Sequence, residues 1–473
     1  MKSGPQFNLL GTRVLVLGLG ESGYAAARWC SRQGASVMVA DTRHNPPFKD
    51  ALAINVPKAQ VTCGALSREL LSDIDLVVLS PGLSPELDIV AQANRSGISV
   101  VGEIDLFASA IRDIDEGSSR PKRTRILAIT GTNGKTTTAT LAAHLIQSTG
   151  VSVSLAGNIS PAALSVLMAR LDDNQLPDVW VLELSSFQLE TLQTLNADAA
   201  TVLNISGDHL DRHGSLENYA RIKARVFAGE GAQIINRQDD RIRRMAISGR
   251  RIIRFGLDAP TGETDFGLRD CGNEPWIVRG DEFLLPLNEL RVAGRHNATN
   301  AMAAMAFCTA IDIPRSSLVP ALRLFRGLPH RLQVIADIGG IRYVNDSKAT
   351  NVGATVAAVE AGLIDLGKLI LILGGDGKNQ DFSPLRAAVA GNARAVVLMG
   401  RDGPHIAKIL NGCGVPMLIA RDMVDAVRLA TLEAQTGDVV LLSPACASFD
   451  MFRNYEHRGD AFAAAVSELM HSR

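Results

Sequence analysis

A short apolar run that ends in a Gly- or Ser-rich turn, followed by a helix-like stretch, recurs along this chain. It is seen at Arg13–Leu17 before Gly18, at Leu76–Leu79 before Ser80-Pro81-Gly82, at Ile126–Ile129 before residues 130–134, and at Val179–Leu182 before Glu183. It returns at Leu369–Leu373 before Gly374-Gly375, at Ala395–Met399 before Gly400, and at Val439–Leu442 before Ser443. Runs this short and this uniformly apolar are strands buried on both faces, and their alternation with helices builds parallel sheets. The fold class is therefore α/β. Ligands of such sheets bind outside the carboxyl ends of the strands, where these small and polar residues fall.

A length of 473 residues corresponds to about three domains. Two breaks interrupt the pattern: the polar stretch DIDEGSSRPKRTR from Asp113 to Arg125, and Arg326-Gly327-Leu328-Pro329-His330. The first reads as a linker and the second as a joint before new strand-like sequence from Leu332, which divides the chain into 1–118, 119–328 and 329–473. Lys and Arg number 48 against 49 Asp and Glu, so no excess of positive charge exists to hold a nucleic-acid backbone. Apolar runs such as Leu369–Leu373 fall far short of the about 20 residues that span a bilayer. The N-terminus lacks the apolar core of a secretory signal, and the six cysteines include no CxxC pair. A cytoplasmic protein with reduced thiols, without nucleic-acid or membrane partners, is expected.

The strongest local signal is the segment from Ile129 through Gly131, Thr132, Asn133, Gly134, Lys135, Thr136 and Thr137. A strand leads in and a helix leads out, so backbone N–H groups and a helix N-terminus converge on one anion. Lys135 would reach the β- and γ-phosphates of a nucleotide, and the Thr136 hydroxyl would ligate Mg²⁺. The segment departs from the full GxxxxGK[ST] form, because Ile129 stands at the first glycine. Glu183, ending the run Val179–Leu182, places a carboxylate where a second strand can hold the metal bridging nucleotide phosphates.

A second fingerprint, Gly18-Leu19-Gly20-Glu21-Ser22-Gly23, follows the first strand, opens a helix-like stretch from Tyr24 to Cys30, and has Asp41 at the end of the next strand. The spacing fits a nicotinamide or flavin site with Asp41 on a ribose hydroxyl, and equally the diphosphate of a UDP-sugar. Read alone, it leaves a nicotinamide-dependent oxidoreductase open.

Several longer segments together resemble the ATP-dependent Mur ligases of peptidoglycan synthesis. GTNGKTT at 131–137 looks like their nucleotide loop, and LELSSFQL at 182–189 like their metal-carboxylate strand. DHLDRH at 208–213, GRHN at 294–297 and GLPHR at 327–331 match further family segments in order. VNDSKATN at 344–351, GGDGK at 374–378 and LSPACASFD at 442–450 look like the D-glutamate-adding members rather than those that add L-lysine or a diamino acid. The resemblance implies three domains: a Rossmann-like N-terminal domain for the UDP-linked substrate, a central P-loop NTPase-like domain with a mostly parallel sheet for ATP, and a Rossmann-like C-terminal domain for the amino acid. It also implies a monomer acting on two small molecules, UDP-N-acetylmuramoyl-L-alanine and D-glutamate.

The resemblance further implies roles for single residues. Gly131 to Thr137 together with Asn297, Asn300, Arg331 and Asp346 would hold ATP. Leu19, Glu21, Ser22, Asp41, Thr42, Ser80 and Gly82 would face the uridine diphosphate, with Asn158 and His209 on the muramoyl-alanine part. Lys348, Thr350, Lys378, Ser448, Phe449 and Tyr455 would surround D-glutamate. Thr136, Glu183, His209 and Lys223, the last as a carbamate formed with CO₂, would serve two Mg²⁺ ions, and Lys135, His209 and Lys223 would be catalytic. Glu21 and Tyr455 depart from the neutral polar residue and the Phe that the family pattern leads one to expect. The neighbouring His213 is expected to be structural.

Lys223 also stands out in the residues themselves. Tyr219, Ile222 and Val226 form a helical stripe, and Lys223, four residues after Tyr219, lies on its buried side. A desolvated lysine has a lowered pKa and hence more neutral amine.

Overall fold

The computed structural model describes residues 7–117, 123–292, 294–361, 363 and 367–471. Three sheets follow one another along the chain. The first holds β1 (Arg13–Leu17), β2 (Ser36–Asp41), β3 (Gln60–Cys63), β4 (Leu76–Leu79) and β5 (Ser99–Val101), all parallel, in the order β3-β2-β1-β4-β5. The order reverses between β1 and β4, so the loops after these strands part and open a crevice at their carboxyl ends.

The second sheet holds β6 (Arg125–Thr130), β7 (Val153–Gly157), β8 (Val179–Glu183), β9 (Ala199–Val202), β10 (Ala232–Asn236), β11 (Ile252–Phe255), β12 (Phe266–Cys271), β13 (Glu274–Arg279) and β14 (Glu282–Pro286). Its order is β14-β13-β12-β11-β10-β9-β6-β8-β7, parallel except for the β12-β13-β14 meander at one edge. The third holds β15 (Gln333–Ile338), β16 (Ile341–Asn345), β17 (Leu369–Gly374), β18 (Ala393–Met399), β19 (Met417–Ile419) and β20 (Val439–Leu442), ordered β15-β16-β20-β17-β18-β19. Only β15 runs antiparallel to its neighbour.

Each apolar run read from the sequence is a central strand, and the polar residue expected at its end stands there. The linker at Asp113–Arg125 requires correction. Helix Glu103–Gly117 takes its first part and β6 begins at Arg125, while 118–122, with the boundary at 118, lie outside the described residues. The polar composition misled because Ile104, Leu106, Phe107 and Ile111 of the same helix lie buried between the first two sheets, which carries the helix on into its solvated last turn. No helix among the described residues is long and apolar enough to cross a membrane.

Candidate active site

The phosphate-loop segment turns between β6 and the helix Lys135–Gln147. Gly134 sits at φ 84°, and a Cβ there would stand 2.4 Å from Asn300 Oδ1, so only glycine fits beside that amide. The loop after β9 braces it: Asn133 N–H donates to Asn204 Oδ1 (2.8 Å), and Asn204 Nδ2 donates back to the Asn133 carbonyl (3.0 Å). Lys135 Nζ donates to the carbonyls of Gly131 and Thr132, each at 3.0 Å, so the cation folds over the concavity of its own loop. Burial lowers its pKa.

Glu183 ends β8 in register with Ile129 on β6 and Gly157 on β7. Its Oε1 accepts Asn158 Nδ2 at 2.9 Å, whereas Oε2 is buried without a hydrogen bond. Burial pushes this carboxyl up, but Lys135, Asn158 and Thr136 more than offset it, and the net shift is downward. An ionised, buried carboxylate oxygen with no donor, next to a threonine hydroxyl on a phosphate loop, suits a hard cation such as Mg²⁺.

Lys223 is buried as expected, 1% exposed, with Nζ 3.0 Å from the Gly131 carbonyl, 3.2 Å from Thr130 Oγ1 and 4.6 Å from the centre of the Tyr219 ring. Desolvation, with Lys135 nearby, drives its pKa well below the usual lysine range. His209 adopts φ 52° and packs edge-on against Phe187, with ring centres 4.8 Å apart; burial lowers its pKa. His213 is enclosed against Ser186 Oγ (2.9 Å) and Glu190, in keeping with a structural part.

One trough brings together Thr132–Thr137, Asn158, Glu183, His209, Asn297, Asn300, Arg331, Asp346, Lys348 and Thr350. Gly131 and Lys223 stand behind its wall. Thr138 Oγ1 (3.3 Å) and Asn297, the latter by accepting Nδ2 at 3.2 Å, fix the Asn300 amide. Asp346, pushed up to about 7 by burial, accepts Ser443 Oγ at 2.8 Å. Lys348 Nζ lies 3.9 Å over the Tyr455 ring, and burial brings its pKa down to about 8. Lys378 does not face open solution: its Nζ donates to Asp208 Oδ1 at 3.1 Å. Ser448 is buried and does not line the trough, and Phe449 is 74% exposed.

A second cleft, sharing Asn158 with the first, is lined by Glu21, Ser22, Asp41, Thr42, Ser80 and Gly82. Gly23 must be glycine because a Cβ would lie 1.9 Å from the Gly18 carbonyl, whereas nothing stands within 4 Å of a Cβ at Gly20, where a ligand would approach. Leu19 differs from expectation: its side chain packs in the core and its N–H donates to Asp41 Oδ2 at 2.6 Å. Asp41 differs too. Its oxygens already accept from Leu19 N and from Arg43 N, Nε and Nη2, which fills about four lone-pair positions. Arg43 holds its pKa down to about 2, so a ribose hydroxyl could bind Asp41 only if Arg43 gave way.

Asp208, Asn204, Asn351, Arg43 and Arg458 also shape the two sites, beyond the residues that the sequence singles out. Asp208 and Asn351 lie inside segments singled out for other residues, and Asn204 follows β9 as Glu183 ends β8. Arg458, 2% exposed, had no such signal; it donates to the carbonyls of Cys446 (3.0 Å) and Ser347 (2.7 Å), fastening the turns that carry Asp346, Lys348 and Ser448.

Three family models match consecutive parts of the chain: "Mur ligase MurD-like, N-terminal domain" over 12–102, "Mur ligase middle domain" over 129–308, and "Mur ligase, glutamate ligase domain" over 330–446. The chain belongs to the Mur ligase family. A relative from Aromatoleum aromaticum is 53% identical over 464 residues, 98% of either chain, and one from Dechloromonas aromatica is 50% identical over 98% of this chain and 99% of its own. Both are named UDP-N-acetylmuramoylalanine–D-glutamate ligase. The fold also matches solved Mur ligases. The MurF ligase of Thermotoga maritima, solved in complex with ADP, aligns with a TM-score of 0.63 at 16% identity over 97% of this chain and 96% of its own. The UDP-N-acetylmuramate–alanine ligase MurC of the same organism aligns with a TM-score of 0.59 at 18% identity, over 98% and 100%. Family membership accounts for the Gly18–Gly23 fingerprint without a nicotinamide.

Proposed function

We propose that this Mur ligase joins D-glutamate to UDP-N-acetylmuramoyl-L-alanine in the cytoplasm, at the expense of ATP. The observation that carries the reading is the meeting of a phosphate loop, an unpartnered Glu183 oxygen and Lys348 of the third domain in one trough, in a chain half identical to named D-glutamate ligases.

A carboxylate is a poor acylating agent, so the alanyl carboxylate first attacks the γ-phosphate of ATP and yields an acyl phosphate and ADP. The D-glutamate amine then attacks the acyl carbon, phosphate leaves, and the amide forms. The first step is a task of placement and charge. Lys135, released from its loop carbonyls, lies along the phosphates, while Asn297, Asn300, Arg331 and Asp346 hold the remainder of the nucleotide. Mg²⁺ ions, when bound, neutralise charge on the transferring phosphoryl group. Glu183 and Thr136 would hold one of them, and Lys223 as its carbamate, with His209, the other. The Lys223 environment suits carbamate formation, because only a neutral amine attacks CO₂ and burial shifts this one toward its neutral form. His209 orients the acyl group rather than serving as a general base.

The uridine diphosphate lies in the first-domain cleft against Ser22, Thr42, Ser80, Gly82 and Arg43, with Asn158 at the passage to the reacting end. Lys348, Thr350 and Lys378 offer the cations and hydroxyl that two carboxylates need, with Tyr455 beneath Lys348. Ser448 and Phe449 join them as the third domain closes about Gly327-Leu328-Pro329, which excludes water from the acyl phosphate. Identical scattering profiles with and without an ATP analogue and UDP-linked substrate would count against closure.

The deciding experiment is phosphate release from ATP with Mg²⁺ and UDP-N-acetylmuramoyl-L-alanine, offering D-glutamate, L-glutamate, L-lysine, meso-diaminopimelate or L-alanine singly. Release with D-glutamate alone is expected; release with another amino acid would keep the ligase and overturn the amino-acid reading. For Lys223, the expected outcome is an inactive Lys223→Ala enzyme partly restored by a small carboxylate; full activity without it would end the metal role.

A further inference from the structure

Helix Ala163–Asp172 of the central domain begins at Ala162, whose methyl group provides no cap. Two N–H groups at its start, those of Ala162 and Leu164, are satisfied by the first domain. Glu21 Oε1 accepts both Ala162 N (3.1 Å) and Ser160 Oγ (2.7 Å), and Glu103 Oε1 accepts Leu164 N (2.6 Å). The other end of this segment is tied to the metal carboxylate: Asn158 N donates to the Glu183 carbonyl at 2.7 Å and Asn158 Nδ2 to its Oε1. Residues 157–162 are thus stretched between Glu21 and Glu183, along the wall of the cleft.

A carboxylate at the first turn of the helix Glu21–Arg32 has the wrong sign for a helix end that receives a diphosphate. Here that charge is turned away from the helix's own N-terminus and spent on donors at the start of a neighbouring one. We infer that Glu21 is a positioning residue: it fixes the 157–162 segment, so that the Asn158 amide holds Glu183 with Oε2 directed to the metal. Glu21 thereby links the substrate cleft of the first domain to the phosphate-transfer site of the second. The inference rests on the proposed metal role of Glu183.

The test compares Glu21→Leu, which removes the acceptor, with Glu21→Gln, which keeps it, in the full-length protein. Hydrogen exchange of the free protein is expected to quicken about tenfold at amides 158–160 and 162–164 in Glu21→Leu, as befits the loss of a charge-assisted bond, and to stay near the parent in Glu21→Gln. The Mg²⁺ concentration for half-maximal phosphate release should rise several-fold in Glu21→Leu, with KM for the UDP-linked substrate moving less than twofold, and Glu21→Gln should restore it. A raised KM for that substrate with unchanged exchange and Mg²⁺ dependence would make Glu21 a direct ligand and overturn the inference, as would no change in either readout. Ser160→Ala offers a second, milder break of the same link if Glu21→Leu does not fold, with exchange of the same amides as its readout. Glu183→Ala separates the two ideas: unchanged Mg²⁺ dependence there would defeat the metal reading, while the exchange data alone would still judge whether Glu21 holds the segment.

Discussion

Between the first and second domains lies one buried apolar cluster, running from Val14 and Val39 on one sheet through Phe107 and Ala163 to Trp180 and Leu182 on the other. Carboxylates of the first domain are sewn into it. Asp105, fully buried, accepts the N–H groups of Gln193 and Thr194 (2.8 Å each) and the Thr194 hydroxyl. The second and third domains meet differently. Buried clusters of the third draw only on its own residues, and the contacts across the trough join polar side chains: Asn133 with Asn351 (3.0 and 3.3 Å) and Asp208 with Lys378. An apolar joint is held by the area it removes from water and moves only at the cost of re-exposing it, whereas polar side chains can exchange one partner for water or substrate. The contrast assigns the first two domains to a single body and leaves the third free to open. It also puts movable contacts on the loops of Asn133 and Asp208, which line the trough.

The largest expected effect tests the apolar joint. Trp180→Ala removes a buried indole that meets Phe107 edge-on at 5.0 Å and should cost about 3–5 kcal/mol in denaturant unfolding, with the first two domains still melting together. Separate melting of the first domain in the parent protein would break the comparison. Across the polar joint, Lys378→Ala should raise KM for D-glutamate about tenfold, or about 1.4 kcal/mol, while leaving the unfolding midpoint of the first two domains in place.

Glu103 sharpens the picture through pH. Burial pushes its pKa up to about 7, above the about 4.3 of an unfolded glutamate, so between those values the folded state retains a proton that the unfolded state has lost. Its unfavourable contribution therefore grows as pH rises from about 4.3 to about 7 and is constant above. Glu103→Gln should raise the melting temperature by a few degrees at pH 8 and hardly at all at pH 4.5; the reverse order would refute the assignment. The smallest effect is expected at the rim, where Arg32 and Asp172 pair at 2.6 Å across the first two domains, both largely exposed. Arg32→Ala should change stability by less than about 1 kcal/mol and leave turnover unaltered.

The central strands, the phosphate loop, Glu183 and the buried side of Lys223 were legible in the sequence, because strand burial and helix periodicity are written into neighbouring residues. The antiparallel edge β12-β13-β14 was less so, since exposed edge strands lack the continuous apolar run. Asp41 shows a further limit. Its spacing from Gly18 marks a ribose acid, yet Arg43, two residues on, takes up its lone pairs, and side-chain direction at a loop decides that.

By itself, then, the sequence determined which segments become buried strands and which polar residues stand at their carboxyl ends, since both follow from local pattern. Only the tertiary structure decided what those residues face: that Glu21 caps a helix beginning 141 residues further along the chain at Ala162, and that Lys378 is held by Asp208, 170 residues before it. Such partners are chosen by how layers pack and domains meet, and a hydrogen bond reaching only about 3 Å carries no trace of itself in local sequence.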